Sequence, residues 1–204
     1  NPLNLYGATK LASDKLFVAG NSYSGSSKCK FAVVRYGNVM GSRGSVIPFF
    51  LEKSKTGVLP ITHPDMTRFN ITLGEGVDLV LWAIENTQGG EIMVPKIPSY
   101  RVTDLAKAID PGCRQENVGV RPGEKIHEEM ISASDSPNSL EFKDYYVIAP
   151  KSEFANWNVN KYMRINKEKK FKKLEEGFTY ISLNNPSYLS IKDLKLLVKK
   201  NKDA

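Results

Sequence analysis

Apolar residues along the chain fall into two alternating patterns. Over residues 5–21, Leu5, Ala8, Ala12, Leu16 and Ala19 recur at threes and fours, the period of one helix face. The same period predicts helices over 46–55 with Pro48 in the first turn, and over Leu73–Asn86 with Val77, Val80, Leu81 and Ile84 turned inward. It predicts another over Val102–Ile109 with Thr103 as cap, a short one over 125–132 after the Arg121-Pro-Gly turn, and a last one over 190–200. Short apolar runs separate them and read as strands: 31–35, 59–62, 91–94, 116–119, and Tyr145-Tyr146 leading into Val147-Ile148. Asn1-Pro2 and the Ser- and Gly-rich stretch 21–27 read as loops, and Gly37, Gly41 and Gly44 punctuate the segment after the first strand. Helices alternating with strands predict an α/β fold. No internal repeat is visible, and past Pro150 the pattern weakens, which puts a soft boundary near 150–160.

Composition narrows the class. The 204 residues are 41% hydrophobic and 25% charged, an ordinary globular mixture. The net charge of +7 is unevenly spread. From 161 to 204 there are 12 basic and 5 acidic residues, and the first 160 residues carry 17 of each sign. The chain is therefore a neutral body with a basic end, not a uniformly basic nucleic-acid binder. Five of the seven residues 167–173 are lysines with Phe171 the one aromatic among them, which reads as a solvated face. No apolar run reaches the ~18–20 residues of a membrane helix. Cys29 and Cys113 are far apart, without metal-like spacing, and His63 and His127 have no partner at such spacing either. A reduced, cytoplasmic protein without a metal is expected, acting on neither nucleic acid nor membrane. Trp82 is expected in the core, and Trp157 against the C-terminal extension.

The candidate chemistry begins at the N-terminal helix. Tyr6-Gly-Ala-Thr-Lys10 puts a phenol and an ammonium at i and i+4 on one face. A tyrosine titrates near ~10, and a neighbouring cation favours its phenolate, so such a pair can take a hydroxyl proton. By itself the spacing is common on helices. The run Asn1-Pro-Leu-Asn-Leu-Tyr-Gly-Ala-Thr-Lys10 with Leu11-Ala-Ser-Asp-Lys-Leu-Phe17 resembles the active-site helix of extended short-chain dehydrogenase/reductases. More narrowly it resembles that of their inverting UDP-N-acetylglucosamine 4,6-dehydratases, which serve polysaccharide and pseudaminic acid synthesis. Arg35-Tyr-Gly-Asn-Val39 with Gly41-Ser-Arg-Gly-Ser-Val-Ile-Pro-Phe-Phe50, then Met66-Thr-Arg-Phe69, then Arg121-Pro-Gly-Glu-Lys-Ile-His-Glu128 match further family blocks in order. The likeness spans about 1–150 and thins beyond.

The resemblance implies a Rossmann-like fold with a nucleotide-sugar-binding subdomain, divided as 1–45 (Tyr/Lys helix), 46–150 (nucleotide-sugar part) and 151–204 (basic extension). It implies a UDP-sugar substrate and NADP as cofactor. Hydride leaves C4 as Tyr6 removes the O4 proton with Lys10 beside it, water is eliminated across C5–C6, and hydride returns to C6 with C5 inverted. It implies cofactor contacts at Tyr6, Lys10 and Val39. Substrate contacts fall at Asn38 (hexose), Arg43, Gly44, Ser45, Val46, Pro60, Thr62, Arg68, Arg121 and Glu124, with the arginines on the diphosphate and Glu124 on the ribose. A homo-oligomer is implied for the full-length enzyme.

The sequence departs from the family in lacking a Gly-rich cofactor turn and the elimination Asp-Lys pair. A C-terminal portion of a longer protein is therefore expected, with the main NADP site upstream of residue 1. Alone it should be inactive and poorly soluble, through exposed sheet edge and apolar surface. The alternatives are a nucleotide-sugar 4-epimerase or retaining dehydratase on the same scaffold, or a non-catalytic UDP-sugar-binding protein.

Overall fold

The computed structural model describes residues 2–25, 28–151 and 157–202, with side chains through 200. Asn1, the Ser26-Ser27 end of the expected loop, and parts of the extension (152–156, 203–204) lie outside the described residues. In chain order the elements are α1 (Leu5–Tyr23), β1 (Val33–Val34), β2 (Asn38–Val39), α2 (Val46–Lys53), β3 (Val58–Ile61), β4 (Thr67–Ile71) and α3 (Leu73–Asn86). They continue with β5 (Ile92–Pro95), β6 (Ser99–Arg101), α4 (Val102–Ile109), β7 (Arg114–Asn117), β8 (Glu129–Ile131), β9 (Ser139–Glu141) and β10 (Tyr145–Ile148). The last are α5 (Val159–Ile165), β11 (Lys172–Lys173), β12 (Tyr180–Ile181) and α6 (Ile191–Lys202). The expected α/β class holds, and the chain packs as two compact units that interleave in sequence.

The first unit comprises Asn1–Tyr36, Gly74–Lys96 and Glu129–Tyr180. Its sheet runs β1-β5-β10-β9-β11. β1 is parallel to β5, with Val33 opposite Ile92, and the remaining pairs are antiparallel. All four residues of β5 and of β10 are buried, as apolar strands covered on both faces are. Phe142 stacks on Tyr145 at 4.9 Å between ring centres, Trp82 meets Tyr145 edge-on at 4.8 Å, and Trp157 lies partly buried against Tyr162 at 5.4 Å. Asn4 starts α1 by accepting the Gly7 N–H at 2.8 Å, and Asn158 starts α5 the same way from Lys161 at 3.0 Å.

The second unit comprises Gly37–Leu73, Ile97–Glu128 and Ile181–Ala204. β2 is parallel to β4, with Asn38 opposite Asn70, and β6 is antiparallel on the far side of β4. β3 pairs in parallel with β7. The core gathers Met40, Ile47, Phe50, Leu59, Ile61, Met66, Tyr100 and Leu105 with Leu194 and Val198 of α6. Lys192, Lys195, Lys199 and Lys200 of α6 are exposed. The basic end thus includes a core helix with a solvated lysine face.

Several expectations are corrected. On α3, Val77, Val80, Leu81 and Ile84 are exposed, while Gly76 and Ala83 are buried and Trp82 is partly buried against the sheet core. Two faces of α3 carry apolar residues at helical spacing, so periodicity alone could not choose between them. Thr103 does not cap α4. The cap position is Arg101 in extended conformation, and the Val102 N–H is satisfied by the Met66 carbonyl at 2.9 Å. Residues 125–132 form no helix. The Ile126 carbonyl instead accepts the Thr67 N–H at 3.1 Å, and Glu129–Ile131 is β8. α1 runs two residues past 21, to Tyr23.

Candidate functional site

In the first unit, α1 carries Tyr6 and Lys10 one turn apart. Tyr6 is 72% exposed, and the Lys10 ammonium lies 5.3 Å from the centre of its ring, in cation–π range. The pair shares one solvent-facing helix surface, as the spacing predicted. The Thr9 hydroxyl, between them in sequence, donates to the Tyr6 carbonyl at 2.8 Å and stays with the backbone. A more buried device stands behind this helix. Arg35 donates from Nη2 to Asp14 of α1 at 2.9 Å, and from Nη1 to Asp135 at 3.1 Å and to the Met130 carbonyl at 2.7 Å.

The other candidates belong to the second unit, and the local sequence explains their positions. β2 ends in a Gly-punctuated turn, with Gly41 and Gly44 both at φ 75°, a region open to glycine at little cost. Ser45 then takes the cap position of α2 without making the cap bond, and its hydroxyl is buried with no hydrogen-bond partner. Val46 opens the helix, and Arg43 and Gly44 are exposed. Downstream, Arg121-Pro122-Gly123-Glu124 closes a turn through the Glu124 N–H to the Arg121 carbonyl at 3.0 Å. Gly123 has φ 77°, so proline then left-handed glycine gives the type II pattern. Arg121 is exposed, while Glu124 is turned toward Arg68.

Arg68, on β4, is the centre of the arrangement. Its side chain is 13% exposed. Nη1 donates to the Thr67 and Ile126 carbonyls at 2.8 and 3.0 Å, and Nη2 to the Met66 sulfur at 3.1 Å. The opposite edge faces two carboxylates, with Glu124 3.8 Å from Nη2 and Glu128 3.8 Å from Nε. The second oxygen of Glu124, Oε2, is buried and has no hydrogen-bond partner. Glu128 accepts the Phe69 N–H at 2.9 Å and a hydrogen bond from the Asn38 side chain. Burial pushes the Glu128 carboxyl above its usual range, and Arg68, the Phe69 N–H, Lys125 and Asn38 partly offset this.

Asn38, Arg68 and Glu124 are thus drawn together, with Glu128 among them. Val39 pairs with Ile71 beside them, and Pro60 and Thr62 are partly buried on and after β3. Arg121 meets this cluster only through its backbone carbonyl at Glu124, and among the described residues no side-chain hydrogen bond or ion pair joins the Arg43 or Arg121 guanidinium to it.

Glu128, His127 and Thr67 received no role from the sequence. His127 Nδ1 lies 2.8 Å from the Thr67 hydroxyl, which is 2.7 Å from that of Ser182. Burial, followed by the Arg68 charge, lowers the His127 pKa. For Glu128 and His127 the signal lay in their place at the end of the Arg121–Glu128 block. The 115-residue separation of Thr67 and Ser182 left none.

Residues 1–150 match the family described as polysaccharide biosynthesis protein. The chain is 50% identical over 196 residues to a UDP-N-acetylglucosamine 4,6-dehydratase (inverting) of Campylobacter jejuni, covering 95% of this chain and 58% of the relative. It is 38% identical over 202 residues to a UDP-glucose 4-epimerase of Rickettsia rickettsii, covering 97% and 57%. Among solved structures it superposes on Pen from Bacillus thuringiensis with TM-score 0.82 and 31% identity, covering 99% of this chain and 60% of that one. The chain therefore spans somewhat over half the length of the curated relatives it matches.

Proposed function

The chain belongs to the polysaccharide biosynthesis protein family, and on that premise we propose that the protein acts as a UDP-N-acetylglucosamine 4,6-dehydratase that inverts C5, in the synthesis of flagellin or surface-polysaccharide sugars. The observation that carries this reading is Glu124, whose Oε2 is buried and unpartnered while its Oε1 lies 3.8 Å from the Arg68 guanidinium. A ribose diol offers two O–H donors to such a carboxylate, and the diphosphate next to a ribose is the natural ligand of a guanidinium. The half-length likeness to a dehydratase supports the choice of sugar.

Asn38 then contacts the hexose, and Pro60 and Thr62 line the nucleotide. Arg43, Gly44, Ser45, Val46 and Arg121 join Arg68 on the diphosphate, with the start of α2 contributing N–H groups. In this reading residues 1–45 carry the Tyr/Lys helix, with the first substrate contacts at their C-terminal end, and 46–150 form the nucleotide-sugar part.

The exposed phenol and ammonium on α1 fit the ribose end of a nicotinamide cofactor, and Val39 is assigned a cofactor contact in the same reading. When bound, that cofactor, NADP in this reading, supplies hydride acceptance and return. Tyr6 takes the O4 proton as C4 is oxidised, and Lys10 stabilises the phenolate. The net change is loss of one water across C5–C6, with C4 left as a ketone and C6 as a methyl. A cytoplasmic homo-oligomer belongs to the same proposal. A 4-epimerase is the second reading, favoured by the Rickettsia match over 97% of the chain.

Two measurements test this. UDP should bind in calorimetry, and Arg68→Ala or Glu124→Ala should each weaken it about tenfold, or about 1.4 kcal/mol. Proton NMR of the protein that carries this chain, with UDP-N-acetylglucosamine and NADP, should show a new C6 methyl doublet. Failure to bind UDP, or accumulation of the C4 epimer instead, overturns the dehydratase reading.

A further inference from the structure

We propose that Glu128 is a positioning residue that couples the Asn38 and Arg68 contacts by clamping the strand that lies between them. The proposal rests on the nucleotide-sugar reading above, and assigns work to a carboxylate that reading leaves unused. Glu128 Oε2 accepts the N–H of Phe69 at 2.9 Å, and Oε1 faces Arg68 Nε at 3.8 Å. Phe69 stands between Arg68 and Asn70, and Asn70 is the register partner of Asn38 on the parallel neighbour. One carboxyl group therefore holds β4 immediately beside both contacts.

The Glu128 backbone is itself fixed. Its N–H donates to the Ser182 hydroxyl at 2.9 Å, and its carbonyl accepts the Ser182 N–H at 2.8 Å. Ser182 is fully buried, so the carboxylate is aimed from a rigid base.

The charge is the informative part. Holding the Phe69 N–H needs only an acceptor, and a neutral amide would do that with less desolvation cost. A carboxylate kept in this half-buried place is suited to what one amide cannot do, which is to hold the Phe69 N–H with one acceptor oxygen while a second, charged one faces a guanidinium edge. Nη1 of Arg68 is committed to the Thr67 and Ile126 carbonyls. Nη2 also donates to the Met66 sulfur at 3.1 Å. The Nε–Nη2 edge faces Glu128 and Glu124 at 3.8 Å, beyond hydrogen-bond length, so a phosphate would meet this edge alongside the two carboxylates that fix its direction. An amide N–H₂ at 128 would put donor against donor and turn that edge away.

The test is Glu128→Gln in the full chain, read by calorimetry with UDP-N-acetylglucosamine, UDP and uridine. UDP and the UDP-sugar should each weaken about tenfold, while uridine, without phosphates, should bind as to the wild type. A merely structural role would lower the melting temperature without this split between ligands. The loss caused by Asn38→Ala should also shrink in the Glu128→Gln background. Wild-type affinity for the UDP-sugar in a folded Glu128→Gln protein, or additive losses in the double variant, overturns the proposal. Should Glu128→Gln not fold, Glu128→Asp, one methylene too short to meet both partners, is read by the same split. If the wild type binds no UDP, the functional reading fails and takes this one with it. If it binds and the variants match it, the positioning role alone fails.

Discussion

At the scale of single residues, Arg35 joins three segments of the first unit through Asp14, Asp135 and the Met130 carbonyl. Asp135 records the effect. Burial would raise its pKa, but the Arg35 charge, with hydrogen bonds from Arg35 and Ser132, outweighs burial and holds it below the ordinary aspartate value. A carboxyl depressed by folding contributes stability above its unfolded value and loses it as pH falls through the folded one. Arg35→Met should therefore cost about 1–3 kcal/mol near neutral pH. That deficit should fade as the pH drops below the ordinary aspartate range. Urea unfolding of both proteins at neutral pH and in acid measures it, and a deficit that persists unchanged in acid would sink the assignment to Asp135. Glu128 has the opposite sign. Its carboxyl is raised by burial, so its charged form is retained at a cost, which is what makes a role for the charge worth testing.

At the scale of elements, the two-residue strand β2 depends on a close approach. A Cβ on Gly37 would collide with the Phe69 side chain and come within 3.4 Å of its backbone. Phe69 is fully buried and has no room to yield. Gly37→Ala should cost about 1–3 kcal/mol, a fall in melting temperature of about 2–4 °C per kcal/mol for a chain of this size. Scanning calorimetry reads it, and an unchanged transition would mean that β2 lifts away freely. The same elements mark what the sequence could reveal. The bounds of α3 and α4 were legible because long apolar periodicity is local information. So was the phenol–ammonium face of α1. The buried face of α3 was not, because residues 76, 79 and 83 have helical spacing just as 77, 80 and 84 do. Nor was the extended course of 125–132, where carbonyls go to β4 rather than to a helix. Arg68 could be picked out from its block, but its pairing with Glu128, and the Glu128 bond to Phe69, arise only when distant strands meet.

At the scale of the whole molecule, charge and apolar exposure act together. The +7 arises after residue 160, yet its lysines are shared between a sheet edge and α5 in the first unit and the outer face of α6 in the second. Exposed lysines on an edge strand oppose pairing with another chain. Against that repulsion stands the α3 stripe, where Leu73 is 69%, Val77 49%, Leu81 57% and Ile84 68% exposed. These four lie along one helix face, and a contiguous apolar surface of this kind drives association. Among the described residues no helix is long and apolar enough to cross a membrane. Net positive charge should hold copies apart at low salt, and screening should release the apolar attraction. Sedimentation velocity should therefore show the mean sedimentation coefficient rising between about 50 mM and about 500 mM salt, where the Debye length falls well below 10 Å. Leu81→Lys with Ile84→Lys should abolish the rise while leaving the melting temperature nearly unchanged, because exposed positions away from the core contribute little to folding. A double variant that melts several degrees lower would show instead that the stripe packs inward, with Gly76 and Ala83 turned out.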